Sequence, residues 1–287
     1  MDRHSATRGL CVLGLLATGA LWAPGCAARE VGIEPRLGRP TGLPAAEADA
    51  RADAVRRDPI GYLRKVADNC RALEQYTLTF TRQERRGLFK LLYGPERIAC
   101  WFRRQPFSIR MKWLDPKVKY GESTYVEGRK GNNVRFVPRH GLFGLPPRIT
   151  AVDLQTPVTW GEAKYPLTTF GLERLMERSV RTMETAGDDV VVTYHGLMAL
   201  RASERTVHHL RLEYSPTRYK VSIQDLYIDV ETDLPAATVL KYHSGRLDAA
   251  YLYEDLDRNV TLTDEDFLLE AERERGDATA EHAAHTP

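Results

Sequence analysis

The 287-residue sequence predicts an α+β fold built on one wide antiparallel sheet, and three observations lead there. Apolar and polar side chains alternate with a period of two in about ten segments. Turn residues recur between these segments, roughly every 8 to 15 positions. Only two stretches carry the three- and four-residue apolar spacing of an amphipathic helix, too few to cover both faces of a parallel sheet. With 43% hydrophobic and 28% charged residues, the composition is that of an ordinary globular protein.

The elements follow in chain order. Arg3 and Arg8 precede an apolar run over residues 10–22 that is too short to span a bilayer, the pattern of an export signal, so residues 1–25 are expected to be a signal peptide. Trp22-Ala23-Pro24-Gly25-Cys26-Ala27 resembles a bacterial lipobox, in which Cys26 would be lipidated and hold the protein on a membrane. Ordinary cleavage after Ala27 or Ala28 is the competing reading. Residues 26–57, rich in Pro, Gly, Ala and charge, read as a flexible tether. Asp58-Pro59 then opens a helix whose apolar stripe is Ile60, Tyr62, Leu63, Val66, Ala67, Cys70 and Leu73.

From Tyr76 the period becomes two. Strands are expected over residues 76–81, 88–93, 97–103, 107–113, 117–127 and 132–138, punctuated by Gly94-Pro95, Gln105-Pro106 and Asp115-Pro116. Residues 141–166 hold four Pro and read as a loop, and residues 167–184 carry a second helical pattern that Gly187 ends. Strands resume over 190–195, 206–214, 221–230, 237–243 and 247–254. Ser244-Gly245 is the expected two-residue turn of the last hairpin, with Leu247, Ala249, Tyr251 and Tyr253 on one face. The folded domain is thus expected to span residues 58–268, with a disordered tail over 269–287. A sheet this wide curls, and its apolar concave face must be filled by the helices or by a bound molecule.

The net charge of +2 conceals an asymmetry: residues 76–140 hold fifteen Lys and Arg against five acids, and residues 141–287 fifteen against twenty-five. A basic half can attract phosphate headgroups, but here Arg and Lys alternate with apolar residues, which favours partial neutralisation within one sheet. Cys11 lies in the signal and Cys26 at its end. Cys70 and Cys100 remain, as a disulfide permitted by export or as two buried thiols. Their spacing does not suggest zinc, and no cofactor is expected. Ser123 beside Glu122, His195, His208 and His209 offer isolated chemistry without a nucleophile elbow, a zinc-protease motif or a spaced triad. The adjacent His208 and His209 would point to opposite faces of a strand. Asp264-Glu265-Asp266 lacks the spaced ligands of a calcium loop and reads as a solvated turn or helix start. An enzyme is therefore not expected. Export also disfavours nucleic acid, despite Trp101-Phe102-Arg103-Arg104.

Several local patterns resemble one family. They are Tyr76-Thr77-Leu78-Thr79-Phe80, Trp101-Phe102, the segment Gln105-Pro106-Phe107-Ser108-Ile109-Arg110-Met111-Lys112-Trp113 with Asp115-Pro116 after it, and Tyr125-Val126-Glu127-Gly128. At the other end stand Ile228-Asp229-Val230, Leu234-Pro235, Ser244-Gly245, Tyr251-Leu252-Tyr253-Glu254-Asp255-Leu256 and Asn259. Over residues 60–267 the chain resembles the bacterial lipoprotein-carrier superfamily, of LolA and LolB type, as a divergent exported member. The resemblance implies an incomplete β-barrel with helices covering the concave side of the sheet around an acyl-chain cavity. The expected function is that of an exported, lipid-anchored periplasmic protein that binds acyl chains of a lipid or lipoprotein, as carrier or sensor. Leu78, Phe80, Phe107, Ile109, Met111, Trp113, Tyr251 and Tyr253 are its candidate cavity wall. The alternative is an anchored structural or interaction protein of the cell envelope, with a packed core and a protein partner on a strand edge or basic face.

Overall fold

A computed structural model describes residues 37–38, 44–141, 146–200 and 205–275 of the chain. The signal peptide expected over 1–25, the lipidation site Cys26 and residues 276–287 of the expected tail lie outside the described residues.

Helix α1 (Ala45–Arg57), 13 residues long, occupies the last part of the expected tether. Its Ala-rich sequence favours helix, but its buried face is only the narrow pair Ala52 and Val55, which leaves little periodicity to read. Arg51 fastens it by donating to the Val230 carbonyl at 2.6 Å. Helix α2 (Pro59–Arg71) begins where the sequence places it: the Asp58 carboxylate accepts the Gly61 N–H at 2.8 Å, and Pro59 occupies the first helical position.

Two antiparallel meanders make the sheet. The first is β2 (Gln75–Arg86), β4 (Glu96–Arg103), β5 (Ser108–Trp113), β6 (Tyr120–Val126), β7 (Val134–Pro138) and β8 (Thr150–Val152). The second is β9 (Val190–Leu200), β10 (Arg205–Tyr214), β11 (Val221–Asp229), β12 (Pro235–Tyr242) and β13 (Leu247–Asp257). They join where the last strand pairs with the first long one, Tyr251 opposite Arg82 and Tyr253 opposite Phe80. The two-residue strands β1 (Leu37–Gly38) and β3 (Leu91–Leu92) pair with β9 and β2. The strand order runs from β1 to β8 without closing, so the sheet is an open, incomplete barrel.

One face packs against α2 and α4 (Leu172–Ala186), which follows the single-turn helix α3 (Thr156–Thr159). Leu63, Val66, Leu172 and Met176 meet Leu78, Ile98, Leu210 and Leu226 in one buried cluster, each such side chain stabilising the fold by about 1.5–3 kcal/mol. A second, smaller apolar cluster, with Val207, Tyr227, Val239 and Leu252, lies on the opposite face of β10–β13.

The structure corrects several local expectations. Residues 88–93 form a turn and the short β3, because Gly87 and Lys90 take positive φ. The last hairpin has a three-residue connection: Tyr242 N–H donates to Arg246 O at 3.0 Å, and Gly245 supplies the left-handed position at φ +79°. A register shift between Leu240 and Lys241 skips Asp248 and turns Leu247 into the second cluster, away from Ala249, Tyr251 and Tyr253. Order also continues past residue 268. A 3-10 turn (Asp264–Phe267), closed by a Thr263–Asp266 capping box, leads into a helical turn over 270–275. Phe267 and Leu269 are buried on the outer side of β4–β6, where Thr124 donates to the Phe267 carbonyl at 2.7 Å.

This C-terminal strap brings the two charge populations together. Asp264 pairs with Arg103 at 2.7 Å and Arg129 at 2.5 Å, Glu270 with Lys112, and Glu272 with Arg135. Cys70 and Cys100 are not bonded: each is a buried free thiol acting as a small apolar filler, on α2 and β4 respectively. Burial, helped by Glu173, pushes the Cys70 thiol up to about 12, and burial raises Cys100 as well, so both stay protonated.

Candidate ligand cavity

The side-chain period places residues 76, 78, 80, 82, 84 and 86 of β2 on the helix-facing side of the sheet. Deep in the core this row packs solidly. Further along, the chain between β8 and α4 crosses above the row, and a partly open volume of about 140 Å³ remains between them. Its floor is Phe80 from β2, Met111 and Trp113 from β5, and Tyr251 and Tyr253 from β13. Trp160, Tyr165, Leu167 and Phe170 form the roof, with Leu175 from α4. Phe80 is the hub, with ring centroids 5.7 Å from Tyr251, 5.5 Å from Tyr253 and 5.2 Å from Phe170.

The roof is held at a defined height. Gly171 takes φ +124°, and a Cβ there would come within 3.1 Å of Phe102, so only glycine lets the chain pass so low. The next residue, Leu172, donates its N–H to the Tyr76 hydroxyl at 3.1 Å, which satisfies one of the free donors at the start of α4.

One end of the cavity is charged. Arg82 donates two hydrogen bonds to Glu96 Oε2, at 3.1 and 2.9 Å, and Arg86 pairs with the other oxygen of that carboxylate. Trp113 Nε1 donates to Glu96 at 2.9 Å and the Tyr251 hydroxyl to Glu84 Oε1 at 2.6 Å. Burial would raise the Glu96 carboxyl, but Arg82 and Arg86 hold it below the usual carboxylate range. Glu84 Oε2 is buried without a hydrogen-bond partner, 3.7 Å from Arg82 Nη1. Arg86 also donates to the Glu162 carbonyl, which fastens the roof to this wall. The lining is therefore amphipathic, an aromatic chamber with a paired ionic cluster at its side.

Of the eight wall residues expected from the sequence, Phe80, Met111, Trp113, Tyr251 and Tyr253 line the cavity. Leu78 and Ile109 share their face but are packed solid in the core between the sheet and the helices. Phe107 lies between Phe102 and Tyr125, partly buried at the far end of β5. The roof aromatics escaped the sequence reading because a Pro-rich segment has no period that orients its side chains. Arg82 and Glu84 were legible: they stand two and four residues beyond Phe80, on its face.

The scattered chemical groups do not converge. Ser123 lines the cavity, while Glu122 faces the other side of the sheet and pairs with Arg110 at 2.5 Å. His208 faces the helices beside Tyr62 and Tyr194, and His209 faces outward, 2.7 Å from Asp225. Among the described residues, no three His, Cys, Asp or Glu are grouped to hold a metal ion, and no helix is long and apolar enough to cross a membrane.

A family profile described as "Protein of unknown function (DUF1571)" matches residues 73–273, from just before β2 to the strap. No curated protein matches the chain. Among solved structures, the chain is similar to the complex of Pseudomonas aeruginosa MucA/MucB, at 13% identity and a TM-score of 0.46, covering 75% of this chain and 62% of that one. It is also similar to the Mycobacterium tuberculosis lipoprotein LppX (9% identity, TM-score 0.42, 72% of this chain and 100% of that one). A LolA superfamily protein from Nitrosomonas europaea gives 10% identity and a TM-score of 0.31, over 74% of this chain and 97% of that one. The chain spans less than two thirds of the MucA/MucB chain it matches.

Proposed function

The chain belongs to the DUF1571 family, and on that footing we propose that it is a non-enzymatic carrier or sensor holding an acyl chain of a lipid or lipoprotein in the cavity beneath the 157–171 segment. The observation that carries this reading is free volume lined by aromatic side chains between the sheet and the 157–171 segment, at the edge of the main apolar cluster. Each CH2 moved there from water contributes about 0.8 kcal/mol, so a chain of ordinary length is held firmly once inside. The free space, about 140 Å³ and partly open to solvent, is close to that of a cavity that holds one benzene-sized molecule, at about 150 Å³. A whole acyl chain therefore enters only as the roof lifts, and release follows the same motion.

Phe80, Met111, Trp113, Tyr251 and Tyr253 are the proposed wall for the chain, and the Arg82–Glu84–Glu96 cluster is its polar boundary. Export through residues 1–25 and lipidation at Cys26 would place this domain at the envelope, on a tether shortened by α1. Native mass spectrometry of the protein purified from its own membranes tests the reading: co-purified lipid is expected, and a ligand-free protein that also fails to take up a fluorescent fatty acid would sink it. Ser123→Phe, which puts a ring into the cavity, should weaken uptake at least ~10-fold while costing about 1–3 kcal/mol of stability.

A further inference from the structure

The turn between β2 and β3 is unlike the rest of the surface. Leu88 is 89% exposed and Phe89 81%, and Leu91 and Tyr93 just beyond them are exposed too. Single exposed apolar residues are ordinary; four within six positions form a patch. A second loop extends it. Trp160, 60% exposed, is followed by Gly161, which lies so close to the tip that a Cβ on it would come within 2.7 Å of Gly87 Cα. Trp160 and Tyr165 also line the cavity, so the patch adjoins its entrance.

Cations lie beside this patch. Lys90 sits in the turn itself, close enough for its charge to act on Lys164. Arg178 lies 4.8 Å over the Tyr165 ring at the cavity edge. Neither Lys90 nor Arg178 has an acidic partner among the described residues, whereas Lys164 is paired with Asp248. Apolar tip, aromatic flank and unpaired cations together are the composition that suits a lipid surface. A protein partner fits less well, because a single tight turn offers far less than the ~800 Å² per side of a stable protein interface.

We propose that the 87–91 tip is a membrane-contact element: Leu88 and Phe89 enter the acyl region of an anionic bilayer, Trp160 and Tyr165 rest at headgroup depth, and Lys90 and Arg178 meet lipid phosphates. The cavity entrance then opens onto the bilayer. Only what passes through that entrance rests on the acyl-chain reading; contact of the tip with lipid does not.

The test is depth-resolved, so that attachment through the N-terminus does not imitate it. In the full chain with Cys11 and Cys26 replaced by Ser, Leu88→Cys carries an environment-sensitive fluorophore, and Val191→Cys, at an exposed position on β9, serves as the control. With vesicles of phosphatidylglycerol and phosphatidylcholine, the label at 88 should shift to the blue and be quenched at least ~2-fold by nitroxides on the lipid acyl chains, while the label at 191 stays aqueous. Lys90→Glu should reduce the signal several-fold, as should removing the anionic lipid. A label at 88 that stays aqueous, or one quenched no more than that at 191, overturns the proposal and leaves the tip to a protein partner. Fatty-acid uptake without vesicles should be unchanged in Leu88→Asp/Phe89→Asp; its loss would assign the tip to the ligand and equally overturn a membrane role.

Discussion

His208 shows how much one position on a strand decides. Its even number on β10 turns it to the helix side, where its Nδ1 lies 2.9 Å from the Tyr194 hydroxyl and its ring meets Tyr62 edge-on at 5.2 Å. Burial there pushes its pKa down to about 4, against the attraction of Asp233. The folded value lies below the unfolded one, so the neutral ring's contribution is complete above pH 6.5 and is lost as pH falls towards 4. Between pH 7 and pH 4.5 this amounts to about 2 kcal/mol. Urea unfolding at those two pH values should show that loss in the wild type and a smaller one in His208→Gln; equal losses would rule out the assignment. His209, one residue on, stacks with His195 and Tyr227 on the other face and pairs with Asp225. Burial would raise that carboxyl, but hydrogen bonds from His209 and Arg211 hold it at about 2.

Among the elements, the C-terminal strap carries most for its length. Phe267 fills the outer side of the sheet beneath Arg103, whose guanidinium lies 4.8 Å over its ring. The Glu270 N–H donates to Glu122 at 2.8 Å, and Glu122 in turn holds the buried Arg110, which stacks 4.6 Å over Trp101. The strap's exposed ion pairs are each worth about 0–1 kcal/mol, so burial of Phe267 dominates. Phe267→Ala should lower unfolding stability by about 3–5 kcal/mol. Asp264→Asn should lower it by less than about 1 kcal/mol. The reverse order, measured by urea midpoints, would mean that charge holds the strap.

For the whole molecule, the decisive feature is that a long-range seam, β13 against β2, carries the cavity floor, while its roof comes from a segment of little regular structure. Floor and roof are then free to differ in stability. Polar links fasten the roof at Arg86–Glu162, Lys119–Glu162 and Lys164–Asp248, and the exposed Lys119–Glu162 pair breaks and reforms in water more readily than packed apolar contacts do. A bound acyl chain should therefore speed amide exchange over residues 156–171 while protection of β2 and β13 is kept or increased. Hydrogen exchange with and without fatty acid reads this directly, and uniform protection of the roof would mean that the ligand fits without opening it.

The sequence alone determined where the long strands run and which side chains share a face. That follows from local backbone geometry: a period of two leaves Phe80, Met111, Trp113, Tyr251 and Tyr253 no other side once their strands form. The expectations of export through residues 1–25 and of lipidation at Cys26 rest on the sequence alone. Tertiary structure decided what those faces meet. Leu78 and Phe80 are equivalent in pattern, yet one packs solidly and the other borders free volume, because the sheet's curl and the height of the 157–171 crossing are set by distant partners. The same cause hid α1, whose helix rests on a narrow stripe, and the strap, whose acids find order only against basic strands more than a hundred residues away. Periodicity is local; the space between layers is not.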